Sequence, residues 1–240
     1  MLRISLIITI LFTVSACGAE SDSDYLAKFK EGSVDATTRP QTGGGSYNWP
    51  FKTFSDTTEA QRVTGINQWA RVLAVFENKP EDFQYAEQIP YTLVVGWGRL
   101  SSNNAIRNLN FEKNGRTITW TNQAREDDRS DPCFAELKIN DDDLANNIAI
   151  LNVLDDAHQD KKSFVKKVGT LKPGDVIRQY GVVVNIKHTG DSDENALKSQ
   201  TFSHSAPLLG PQNPLIIDFT NLEIKSSIYR ASNKTERCKP

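Results

Sequence analysis

An uncharged apolar run, Ile4 to Val14, follows the short positive start Met1-Leu2-Arg3, and the small pair Ser15-Ala16 closes it. A charged start, an apolar stretch of about 7–15 residues and a small-residue cleavage position together mark a secretory leader. A membrane-spanning helix needs about 20 apolar residues, more than this run supplies. Residues 18–47 are then polar. They include Glu20-Ser21-Asp22-Ser23-Asp24 and end in a Thr-, Gly- and Ser-rich stretch over 37–46, the composition of a flexible tether. From Asn48 to Tyr229 short apolar runs and alternations predict one β-rich body, and residues 230–240 form a polar tail.

Within the body, residues 69–76 read as a strand interrupted by Arg71. Residues 92–100 place Leu93, Val95 and Trp97 on one face, with Gly96 and Gly98 opposite, the mark of a bulge or a close backbone approach. Asn114-Gly115 between two alternating runs is a strong hairpin signal. With that pair as the loop, Lys113 faces Arg116, Phe111 faces Ile118 and Leu109 faces Trp120, so the apolar residues share a face. Residues 148–153 predict another strand. Residues 156–168 predict a helix capped by Asp155 or Asp156, with Phe164, Val165 and Val168 as its apolar stripe. Pro173-Gly174-Asp175 is a turn into a strand that carries Val176, Tyr180, Val182, Val184 and Ile186 on one face, with Arg178 and His188 nearer its ends and a bulge expected at Gly181. The last strand, 215–224, changes phase between Phe219 and Leu222, which predicts a bulge near Asn221. Several strands with one or two helices predict a mainly β fold, an antiparallel β-sandwich or a partly open barrel.

Charge narrows the function classes. The chain carries 28 basic and 30 acidic residues, net −2; without residues 1–16, which hold one arginine and no acid, the net is −3. A duplex nucleic-acid binder needs a concentrated basic face, so nucleic acid is not an expected partner.

Three cysteines divide into two roles. Cys17 follows Val14-Ser15-Ala16, and this segment closely resembles the lipobox of bacterial lipoproteins. The resemblance implies that Cys17 is lipidated and becomes the mature N-terminus, anchored in a bacterial envelope membrane by three acyl chains. Two or more chains suffice for stable anchoring. Gly18, where an aspartate would signal inner-membrane retention, implies the outer membrane, facing the periplasm. An exported chain meets an oxidising compartment, so Cys133 and Cys238 are expected to pair, with two free thiols as the alternative. Neither a CxxC pair nor a Cys/His cluster points to a metal, and no cofactor motif stands out.

Three fragments of the body carry a second likeness. Gly96-Trp97-Gly98 with Leu100-Ser101, Gly115-Arg116-Thr117-Ile118-Thr119-Trp120, and Gly174-Asp175-Val176 with Gly181-Val182-Val183 together resemble a bacterial family of exported or membrane-associated proteins of unknown function. The likeness spans about residues 70–186. It implies a compact β-rich domain and carries over no catalytic residue, because a histidine of the family's central strand is matched by alanine in Asn147-Ile148-Ala149-Ile150-Leu151.

The remaining chemistry is sparse. Of three histidines, His158, His188 and His204, the last sits in Ser203-His204-Ser205; neighbours on an extended segment point to opposite sides, so this is no nucleophile–base pair. The acidic runs 126–131 and 141–143 lack the alternating spacing of a calcium loop and read as solvated. Trp69 and Trp120 lie in strand patterns and are expected in the core. Trp97 either packs in the core, the simpler reading, or opens onto a ligand. Trp97, His188 and His204 are therefore the candidate ligand-binding residues. The expected function is a lipid-anchored envelope protein acting as a non-enzymatic binding or scaffold module for a protein or cell-wall partner. The alternative is a small periplasmic hydrolase whose acids or His204 converge only in three dimensions.

Overall fold

The computed structural model describes residues 42–43, 49–101, 106, 109–122, 147–155, 162–199 and 214–225. The leader, Cys17, Cys133, Cys238, His158, His204, both acidic runs and the tail lie outside the described residues. Nine strands are described: β1 (Thr42–Gly43), β2 (Lys52–Thr53), β3 (Thr58–Glu77), β4 (Tyr91–Gly96), β5 (Leu109–Asn114), β6 (Thr117–Asn122), β7 (Ile148–Val153), β8 (Val176–His188) and β9 (Leu215–Lys225). One helix, α1 (Lys162–Val168), is described from end to end.

Five strands close a barrel in the order β3-β4-β7-β9-β8, with β8 returning to β3. Four of the joints are antiparallel; β7–β9 is parallel. The fold is therefore the mainly β barrel expected, closed by the long β3, with one parallel joint. Counting barrel strands along the chain gives the cyclic order 1-2-3-5-4, with α1 between the third and fourth. This is the connectivity of the OB barrel, a five-stranded Greek key.

Closure depends on irregularities at defined positions. Val63 is the extra residue where β3 meets β8, and Leu73 where it meets β4. Between β8 and β9 the partners step from Asn221 to Phe219, so Thr220 is the extra residue, beside the position where the phase change in the sequence places a bulge. A bulge bends its strand and raises local twist, which lets a single 20-residue strand serve both ends of the sheet. Gly181 sits opposite this site. A Cβ there would lie 2.5 Å from the Asp218 carbonyl oxygen, so the two strands approach more closely than a side chain allows. β1 adds to β3 through Thr42↔Ile66 and Gly43↔Gly65, so part of the stretch expected as tether lies against the barrel.

The barrel interior is filled by Val63, Ile66, Ala70, Val72, Leu93, Val95, Trp97, Ala149, Leu151, Ile177, Val183, Ile217, Phe219 and Leu222, among others. Val168 and Leu171, with Phe164 packed against them, join this core from α1 and the turn after it. The described helix begins at Lys162, so the predicted segment 156–161 lies outside the described residues.

The hairpin register differs from the expectation. Asn114 pairs with Thr117, Lys113 with Ile118 and Phe111 with Trp120, so the loop is Gly115-Arg116 rather than Asn114-Gly115. Gly115, at φ 58°, takes the first central position. Glycine thus carries the positive φ of the first central position, which an Asn-Gly loop would have placed on Asn114. The register moves by two residues, which leaves every side chain on its expected face and brings the two aromatic rings opposite each other. β4 also ends earlier than the alternation implies, because Gly98–Ser101 turns into a 3-10 segment.

Candidate functional site

In OB barrels the face of the second and third strands, with the loops after the first and fourth, is where oligomers are bound. The corresponding face here is the outside of β4 and β7, and it is covered. Val94, Ile148 and Ile150 lie beneath Leu109 and Ile118 of the hairpin in a second buried cluster, with Phe111 and Trp120 packed on its edge. The hairpin tip is tied to the loop after β3. The Lys113 ammonium pairs with the Asp82 carboxylate, and the Arg116 guanidinium lies 6.0 Å from the centre of the Phe83 ring. The Lys113 hydrogen bond, with a second from the Lys79 N–H, holds the Asp82 carboxyl below the usual carboxylate range. At the other end of this face, the Thr92 hydroxyl donates to Asn152 Oδ1 at 2.8 Å, while Asn78 Nδ2 donates to the Thr92 hydroxyl at 3.0 Å and to the Ile89 carbonyl at 2.5 Å. These buried groups satisfy one another.

The outer face of the C-terminal half of β8 is covered as well. Val182, Val184 and Ile186 pack with Phe83, Tyr85, Ile89, Leu197 and Ile216 in a third cluster. The alternation seen in the sequence is real, but this face looks outward, beneath loops; Ile177 and Val183 on the opposite face fill the barrel.

Of the three candidate residues, His204 lies outside the described residues, and Trp97 and His188 stand at opposite ends of the barrel strands. Trp97 is 1% exposed inside the barrel, and among the described residues its indole nitrogen has no hydrogen-bond partner. Gly96 before it serves packing, since a Cβ there would lie 2.8 Å from Leu100 Cβ and 2.9 Å from Leu73 Cδ1, and Gly98 after it takes a φ of 55°. His188, half-buried, ends β8 far from Trp97 and stacks on Tyr85 with ring centroids 4.6 Å apart. Burial, with the nearby Asp191 charge, pushes the Tyr85 hydroxyl above its ordinary range. Beside it the Lys187 ammonium donates to Asp193 Oδ1 at 2.8 Å and the Asp191 carbonyl at 2.7 Å, and pairs with Glu59 at 3.1 Å. That cation is satisfied by the fold itself. Among the described residues no group of three or more His, Cys, Asp or Glu side chains could hold a metal ion. No described helix is long and apolar enough to cross a membrane.

One stretch of the barrel's outer face carries a different arrangement. Trp69, expected in the core, is instead half-buried on the outside, because its neighbours Ala70 and Val72 take the inward positions of β3. It pairs in register with Arg178, and Asn67 pairs with Tyr180. The Arg178 guanidinium lies 4.4 Å from the Tyr180 ring centre and 5.7 Å from that of Trp69, and its Nε donates to Asn67 Oδ1 at 3.3 Å. Two rings and an amide thus fix a guanidinium on a half-exposed surface. A cation over aromatic faces is attracted by their quadrupole, and a planar guanidinium stacks well there. The signal in the sequence was Arg178 and Tyr180 two apart on one strand face, but their partners on β3 could not be read without the pairing.

Compared with protein-family models, curated proteins and solved structures, the chain has no match.

Proposed function

We propose that this chain is a lipid-anchored bacterial envelope protein whose barrel is a non-enzymatic binding or scaffold module for a protein or cell-wall partner. Lipidation at Cys17 and a site facing the periplasm from the outer membrane follow from the leader and its lipobox-like end. The observation that carries the binding role is the half-exposed Trp69–Arg178–Tyr180 stack. It supplies large rigid contact area with an oriented cation, a combination enriched where protein surfaces meet partners.

Two experiments test the proposal. Cys17→Ser is expected to abolish labelling by a fatty-acid probe and to block normal processing; labelling at wild-type level contradicts the anchor. The purified protein is expected to show no turnover in esterase, peptidase, phosphatase and glycosidase screens. Turnover lost in His204→Ala would overturn the binding role in favour of a hydrolase.

A further inference from the structure

The same surface holds an opposite charge that Arg178 does not use. Arg178 pairs in register with Glu223 of β9, and Tyr180 with Asn221. Directly opposite residues of an antiparallel pair point to the same face with Cβ atoms about 4.5–5.5 Å apart, so Arg178 and Glu223 are placed to form a cross-strand ion pair. They do not form one. Arg178 leans the other way, toward β3, where Asn67 and the two rings hold it. Among the described residues neither its terminal nitrogens nor the Glu223 carboxylate makes an ion pair, and no further hydrogen bond of either side chain is present. Glu223 is half-buried and Asn221 exposed.

The surface therefore presents a fixed cation and a separate anion side by side, with amides at Asn67 and Asn221. A bare phosphate or a polyanionic polymer would meet the Glu223 charge as repulsion. A neutral sugar would leave both charges unanswered. We infer that this site recognises a zwitterionic peptide, one that sets a carboxylate on the Arg178 fork and an ammonium against Glu223. The inference rests on the binding role proposed above and names the ligand class of that surface. The guanidinium's free edge accepts a carboxylate through two parallel N–H···O bonds, and lysine cannot reproduce that geometry. The rings contribute preorganisation, since the fork is already held before the ligand arrives.

The test is calorimetric titration of the purified full-length chain in detergent with N-acetyl-Ala-Lys-Ala, which bears one carboxylate and one ammonium. Parallel titrations use its C-terminal amide, its side-chain-acetylated form, chitotetraose and inorganic phosphate. Saturable binding of the free peptide is expected, weakened about tenfold or more by amidation or by Arg178→Lys. Acetylating the lysine should weaken binding to the wild type but not to Glu223→Gln. Unchanged thermal unfolding midpoints show that both variants are folded. Absence of saturable peptide binding, or equal binding of peptide and amide, overturns the inference. Arg178-dependent binding of chitotetraose or phosphate in place of the peptide also overturns it, while leaving a binding role for the surface intact. Failure of the binding role itself would appear separately, as catalytic turnover in the screens above.

Discussion

Substituting Ile118 by alanine tests whether the hairpin is an integral cover of the barrel or a loose appendage. Ile118 is 1% exposed and packs with Leu109, Val94, Ile148 and Ile150. Truncation removes three buried carbons, about 2.4 kcal/mol at ~0.8 kcal/mol per methylene. The residual cavity adds to this, since the surroundings collapse only in part, and Ile→Ala changes in cores cost about 2–5 kcal/mol. A loss of about 3 kcal/mol is expected. Thr119, exposed on the other face of the same strand, supplies the control: Thr119→Ala should change stability by about 0.5 kcal/mol or less. Urea unfolding followed by tryptophan fluorescence reads both values, and hydrogen exchange at the amides of β4 and β7 reports whether the face beneath has opened. A loss under about 1 kcal/mol for Ile118→Ala would refute the covered-face account.

Gly181→Ala should destabilise the barrel by about 1–3 kcal/mol, because its Cβ would meet the Asp218 carbonyl oxygen at 2.5 Å, a backbone atom of a paired strand that cannot swing aside; an unchanged denaturation midpoint refutes the close approach. The hairpin-tip pair should give the stability an acidic dependence. Asp82 is depressed below its ordinary 3.8, so its contribution is complete above that value and is lost as pH falls through the lower folded value. Asp82→Asn should remove this part of the acid slope, and identical slopes for variant and wild type would contradict it. Cys133 and Cys238 are expected to be joined in the exported protein, so alkylation without reduction should modify neither; mass spectrometry finding both alkylated excludes the bridge.

The sequence made some of this legible and hid the rest for physical reasons. β7 was readable because both its faces are buried, which leaves a continuous apolar run. The phase change near Asn221 was readable because Phe219 and Leu222 both face the interior across the extra residue Thr220. The first half of β3 was not. Thr58 to Gln68 crosses the Val63 bulge, which inverts the alternation midway, and residues such as Glu59 and Gln61 answer Lys187 and Asn185 rather than an apolar core. Trp69 was misplaced because an apolar run does not say which of its residues face inward; Ala70, the smaller neighbour, is the one inside. Arg71 within that run is fully buried, with Nε donating to the Gly174 carbonyl at 3.2 Å and Nη1 to the Ser101 carbonyl at 2.6 Å, a solution that only the fold supplies. The candidate surface was hidden for the same reason as β3. It joins Asn67 and Trp69 to Arg178, Tyr180 and Glu223 through three strands, and one of those strands was only half visible.

Site-specific photo-crosslinking in intact cells tests the account most directly. A photoreactive amino acid replaces either Asn221, exposed and paired with Tyr180, or Asn110, exposed on the outer side of the hairpin. A discrete adduct is expected from position 221, one that disappears when Arg178→Lys is added, and none from position 110. An adduct from position 110 alone, or one from position 221 that is indifferent to Arg178, would overturn the binding surface.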